Sequence, residues 1–224
     1  MGMNPPGPGQ EYPGYPPPPP VYTPPPPATG LNLSDMIARW QAVLTQPGVA
    51  TFDAQQPPAN WQAIWIGITI LAVVRAIFGF ISDLEFHRAG QPTPGVGSVL
   101  GTLISTYLGF FIAAGILHVV ARLFSGSGSF LTYAYLLSLF YVPLQIIGAV
   151  VGIIPVLGGL VGLAAGIYAL ILAVYATASA HRLSIGTSVA VVLIPAIIAF
   201  IVFAILAVVA AALLLALGLA LPGR

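Results

Sequence analysis

No Asp and no Glu occurs between Phe86 and Arg224. Long apolar runs fill that stretch, interrupted by a few Arg, His, Gly and Pro. A soluble fold covers much of itself with polar side chains, and a chain this poor in them is built to dissolve in lipid. The gap also removes groups that most proton-coupled pumps, metal sites and hydrolases rely on, since an ion-coupled transporter places an ionisable carboxylate mid-membrane. Only 5% of the residues are charged and 58% are hydrophobic, with a mean hydropathy of +0.99; an ordinary soluble domain is about 25% charged. The fold class that follows is all-α, a polytopic membrane helical bundle. The six basic residues are all Arg, and a net charge of +1 leaves no clustered basic face for nucleic acid. With no Cys there is no disulfide framework, thiol catalysis or cysteine metal site, and no cofactor is expected.

Residues 1–30 form a Pro/Tyr/Gly tract. Proline fixes φ and removes the amide donor, which excludes helix and sheet. The tract is expected to be extended, polyproline-II-like and disordered. Pro19-Pro20-Val21-Tyr22 fits a PPxY pattern. It reads either as bait for a proline-binding groove, through Pro19, Pro20 and Tyr22, or as a low-complexity spacer of the kind composition alone produces. A signal peptide would show positive charge followed by an apolar core; this N-terminus does not, so the tail is expected to stay in the cytoplasm.

Residues 31–58 are expected to hold an amphipathic interfacial helix and a linker. Leu33, Ile37, Trp40 and Leu44 recur at helical spacing, with Met36 and Val43 beside them. Asn32 or Ser34 can cap the start, Asp35 suits the positive end of the helix dipole, and Gln46-Pro47-Gly48 ends the run. A helix over 33–45 is too short to span a bilayer, so it is expected in the membrane interface or against the cytoplasmic mouth of the bundle. Residues 59–221 then hold five candidate spans, each near the roughly 20 apolar residues a crossing needs. They are 61–81 (reaching as far as 87), 99–121, 130–151, 153–178 and 189–217.

With the tail inside, Arg39, Arg122 and Arg182 fall on the cytoplasmic side, and Arg88, Arg224, Asp83 and Glu85 fall outside. That is a positive-inside bias. Spans two and four both end in His and Arg, His118…Arg122 and His181-Arg182, where cations suit the negative ends of helices. The predicted topology is N-terminus cytoplasmic and C-terminus outside, in a cell membrane.

Lipid gives helices no hydrophobic reason to associate, so small residues that allow close backbone approach supply much of the packing. Span two carries the stripe Gly101, Ser105, Gly109, Ala113, and span four carries Gly158, Gly162, Gly166. Both stripes are expected to pack against neighbours within the bundle. Between copies of the chain they would serve a homo-oligomer. Pro143 removes a backbone hydrogen bond inside span three and predicts a kink. Gln145 follows it, and either lines a cavity or bonds to a neighbouring helix or to the carbonyl that Pro143 frees. Pro155 suits the first turn of span four.

Arg75 lies well inside span one, where an arginine costs roughly 2.5–3.5 kcal/mol on insertion scales. It reads either as a site for an anionic lipid or substrate, or as a side chain snorkelling outward, paired with Asp83 or Glu85. His118 has no partner Asp and no nucleophile in a recognised motif. Gly126-Ser127-Gly128-Ser129 does not fit the Gly-x-Ser-Gly pattern of intramembrane serine proteases, because position 125 is Ser; a capped loop explains it better. The three histidines are scattered without metal spacing. No catalytic group emerges, and no enzymatic activity is expected.

A proline-rich tail, a short helix and Leu44-Thr45-Gln46-Pro47-Gly48 leading to Phe52, then five spans, resembles the Yip family (Ypt-interacting-protein domain). Similar segments follow: Arg122-Leu123-Phe124-Ser125-Gly126-Ser127-Gly128-Ser129-Phe130, Tyr141-Val142-Pro143-Leu144, and Ile167-Tyr168-Ala169-Leu170 leading to His181-Arg182-Leu183-Ser184. Together they cover about residues 33–205. The resemblance implies an all-helical membrane domain without catalytic residues. Eukaryotic members are linked to vesicle traffic and Rab-type GTPases. The acidic Asp-Leu-x-Gly-Pro segment of those members is absent here, so Rab binding does not carry over, and a prokaryotic member is indicated. The function that follows is a non-enzymatic scaffold or adaptor, embedded in the lipid bilayer and recruiting a protein partner through its tail. The rival is a small transporter or channel with Arg75 and Gln145 near its path.

Overall fold

The computed structural model describes residues 32–85 and 95–216. The Pro-rich tract with Pro19, Pro20 and Tyr22 lies outside them, as do Arg88 and Arg224. The described residues form seven helices: α1 (Leu33–Thr45), α2 (Val49–Ala54), α3 (Trp61–Glu85), α4 (Val96–Leu123), α5 (Phe130–Val151), α6 (Pro155–His181) and α7 (Ile185–Ala216). Helices α3 to α7 are long and apolar enough to cross a membrane, and the chain is a multi-pass membrane protein.

Local chemistry sets the boundaries. Asn32 caps α1, its side-chain oxygen accepting from the Ser34 amide at 3.1 Å, and Asp35 sits in the first turn. Asn60 does the same for α3 through the Ala63 amide at 2.7 Å. Ser129 caps α5 by accepting from the Thr132 amide, so the Gly126–Ser129 segment is the capped loop that the sequence reading favoured. Pro155 stands in the first turn of α6, where a missing N–H costs nothing. The fourth span therefore begins at 155 rather than 153. The second and fifth begin earlier than expected, at Val96 and Ile185. At 32 residues, α7 is about 48 Å long, well beyond a hydrocarbon core of about 30 Å.

Helix α5 is the central strut, packed against α1, α3, α4 and α6, while α7 lies against α6 and α4. An unbroken row from Tyr133 to Phe140 is buried. It meets Ile64, Ile68 and Leu71 of α3, Phe110 and Ala114 of α4, and Leu172, Ala173 and Ala176 of α6. These residues all belong to the half of the bundle nearest the start of α5 and the end of α6. Toward the opposite end, Leu100 and Ile104 of α4, Leu160 and Leu163 of α6, and most of α7 beyond Leu193 are exposed.

Helix α2 is absent from the sequence reading, which left 49–54 as linker. It is only one and a half turns long, but Phe52 is fully buried and meets Phe140 edge-on, with centroids 6.2 Å apart. Helix α1 packs on α5, and α2 packs on α6. Met36 and Val43 of α1 are buried, while Leu33 and Ile37 face outward.

The small-residue stripes are corrected. Gly101, Ser105, Gly109 and Ala113 are all exposed on the outer face of α4. Gly162 and Gly166 are exposed on α6, and a Cβ built on Gly101, Gly109, Gly162 or Gly166 meets no atom within 4 Å. Only Gly158 makes a close approach: its Cβ would stand 2.7 Å from the Cα of Gly152, where α5 turns into α6. The bundle is held instead by large side chains interlocking around α5.

Replacing Phe52 by Ala should cost about 3–5 kcal/mol, as for a buried aromatic in a packed core, and lower the thermal midpoint of the detergent-purified protein. An unchanged midpoint would mean that α2 is not anchored there. Gly162→Leu, by contrast, should shift stability by no more than about 0.5 kcal/mol, as at other exposed positions. A large loss in the same melt would restore the interior stripe.

Candidate functional site

The polar groups of the protein gather where α2, the α4–α5 loop and the end of α6 meet. A helix leaves its last four carbonyls without intrahelical partners, and where the helix end is buried, as at Ser179 and His181, such groups must be satisfied by the protein itself. At the end of α6 each nearby element contributes. The Leu183 amide returns to Ala178 O at 3.2 Å. Gln56 Nε2 donates to Ser179 O at 3.1 Å. The Ser127 amide donates to His181 O at 3.2 Å. Arg182 closes the helix with φ of 57°. At the end of α1, the Tyr168 hydroxyl donates to Leu44 O at 2.6 Å, so a side chain of α6 caps α1 in turn.

Asp53 organises this seam. Its Oδ1 accepts from Ser179 Oγ at 2.7 Å and from Gln56 Nε2 at 3.0 Å, and Gln56 Nε2 also reaches Ser179 Oγ at 2.8 Å. The Arg182 guanidinium stands 3.6 Å from the same oxygen, but its side chain is 67% exposed, and an ion pair so open to water contributes little. The hydrogen bonds tie α2 to α6. Arg39 of α1 donates to Gln55 Oε1 at 3.0 Å and tightens the α1–α2 hairpin.

Beside the seam, His118 Nδ1 and His181 Nε2 are 3.3 Å apart, linking the ends of α4 and α6. His181 is buried, and its Nδ1 has no hydrogen-bond partner. Tyr133 packs edge-on against it at 4.7 Å between centroids. The Thr177 hydroxyl donates to Ala173 O at 2.7 Å, so at the 2.8 Å contact with Tyr133 it is the tyrosine that donates. The α4–α5 loop passes directly over this pair. A Cβ on Gly126 would sit 2.8 Å from Ala121 O and 2.9 Å from His181 Cβ, and one on Gly128 would overlap the Ala180 carbonyl. Among the described residues no three His, Cys, Asp or Glu side chains converge as metal ligands. The chemistry of this region is fastening: it joins helix ends and holds α1–α2 in place.

Of the residues singled out from the sequence, Arg75 lies at the opposite end of the bundle. It is half-buried in a cavity of about 260 Å³ lined by Gly79, Ser82, Thr102, Gly148 and Gly152 among others. Gln145 is exposed, one turn before Gly148, and does not line that cavity; the two are not brought together on one path. Pro143 is inside α5 and half-buried. Asp53, Gln56 and Ser179 were not singled out from the sequence. The available signal was Asp53 itself, one of only five carboxylates in the chain, standing in a supposed linker.

The family model described as the Yip1 domain matches residues 42–208. No curated protein and no solved structure matches the chain.

Gly128→Ala should destabilise the protein by about 1–3 kcal/mol, the usual range for forcing an extra methyl into filled space. Pulse proteolysis in detergent would report it as faster cutting near the α4–α5 loop. Wild-type resistance would show that the loop does not press on α6.

Proposed function

The chain belongs to the Yip1 domain family, and on that premise we propose that it is a non-enzymatic scaffold of a cell membrane, recruiting a protein partner for membrane organisation or trafficking-type assembly. The tail is its recruiting segment, and the α1–α2 hairpin follows it in the chain. One observation carries the reading: α2 is hydrogen-bonded through Asp53 and Gln56 to Ser179 of a membrane-spanning helix. A partner held by the tail would be joined through the chain to a hairpin that is itself fixed to the bundle.

Orientation follows the same logic. Arg122 and Arg182 stand at the ends of α4 and α6, and Arg39 bonds to Gln55 beside α2; a preference for Arg on the cytoplasmic side favours reading that end as inside. With five spans, this reading has the C-terminus outside. Outward-facing Leu33 and Ile37 on α1 are suited to resting in the inner headgroup layer. A transport path through Arg75 and Gln145 has less support, because Gln145 stands outside the Arg75 cavity.

Photo-crosslinking in intact cells tests the reading. Full-length protein should capture a discrete partner, and deletion of residues 1–30 or the change Tyr22→Ala should remove it while the bundle still inserts. Capture that survives both changes would rule out recruitment by the tail.

A further inference from the structure

Arg75 is the only formally charged side chain more than one turn from the end of a spanning helix among the described residues. None of the described carboxylates Asp35, Asp53 and Asp83 lies within ion-pair distance of it. Asp83 and Glu85 on the same helix are about 12 and 15 Å further along the axis at 1.5 Å per residue, so neither is a natural partner. A guanidinium in a low-dielectric region attracts an anion far more strongly than it would in water, and intramembrane cations mark ligand sites for that reason.

The space beside Arg75 is shaped for such an anion. The cavity follows one ridge of α3 from Arg75 past Gly79 to Ser82, a rise of about 10 Å. Ser82 lies three residues before the end of α3, so the cavity runs from the half-buried cation toward that end of the bundle. Thr102 of α4 adds a second hydroxyl, while Gly148 and Gly152 of α5 form the facing wall. Cβ atoms built on Gly79 and Gly148 meet nothing within 4 Å; the glycines leave room that no protein atom fills. The planar fork of arginine matches two oxygens of a phosphate.

We propose that this cavity binds a phosphate group, carried by an anionic phospholipid or free in solution, with Arg75 as the anchor and the Ser82 and Thr102 hydroxyls as flanking donors. The site lies at the end of the bundle opposite α1–α2. It does not depend on the scaffold reading.

Native mass spectrometry of the full chain tests it, with phosphatidylglycerol, phosphatidylcholine and inorganic phosphate as probes. Wild type should retain phosphatidylglycerol in preference to phosphatidylcholine. Arg75→Gln should lower that retention roughly tenfold, the loss of one charge-assisted pair. Gly148→Leu keeps the charge but fills the cavity, and should lower retention equally. It also decides the matter if Arg75→Gln fails to fold. Displacement of the lipid by inorganic phosphate supports the site with a soluble anion as its occupant, and retention against phosphate supports it with a lipid. Equal retention in all three proteins overturns the proposal. So does retention lost in Arg75→Gln but kept in Gly148→Leu, since the anion would then lie outside the cavity.

Discussion

Unpartnered carbonyls at the C-terminal end of α6 dictate how this protein is assembled. Ala178, Ser179, Ala180 and His181 are buried within the protein, where water does not reach their carbonyls, so side chains and loops must come to them. Gln56 arrives from the turn that follows α2, and the Ser127 amide from the α4–α5 loop. Each arrival has a consequence elsewhere. Gln56 reaches its carbonyl only if α2 lies flat on α6, which Phe52 and Asp53 ensure. Ser127 reaches His181 only if the loop presses close, which Gly126 and Gly128 permit. Satisfying one helix end therefore fixes a hairpin, a loop and the start of α5.

The result is a bundle with two unlike halves. Near the α1–α2 hairpin the helices interlock around α5 and are cross-linked by Tyr133–Thr177 and His118–His181. At the other end they carry exposed leucines and isoleucines, the exposed Gly101 and Gly162, and the Arg75 cavity. A rigid half suits a surface that must hold its shape for a protein partner. A half whose helices leave room between them suits contact with lipid, and a phosphate-bearing lipid there would fill space that the protein leaves open.

The spans were legible because a crossing helix must be apolar along its whole length, and the short helix at 33–45 because its period and caps agree. The family was legible in the order of soft motifs from Leu44 to Ser184, and its model matches 42–208. Packing was not legible. The most apolar span, α7, is the most exposed, and the least apolar, α5, is the most buried. Where the solvent is itself hydrocarbon, apolarity no longer marks the interior, and small residues such as Gly109 and Gly162 can face outward at no cost. Asp53 was overlooked because its role depends on Ser179, 126 residues away in the chain.

The absence of native Cys allows one direct test of the fastening. Cysteines placed by Gln56→Cys and Ser179→Cys, where the side chains stand 2.8 Å apart, would be treated in native membranes with a short bifunctional thiol reagent. The account expects fast crosslinking within one chain, and none for Gln56→Cys paired with Gly162→Cys, about 25 Å away along α6. Failure of the first pair to react, or equal reaction of the two, would contradict a hairpin fixed to the end of α6.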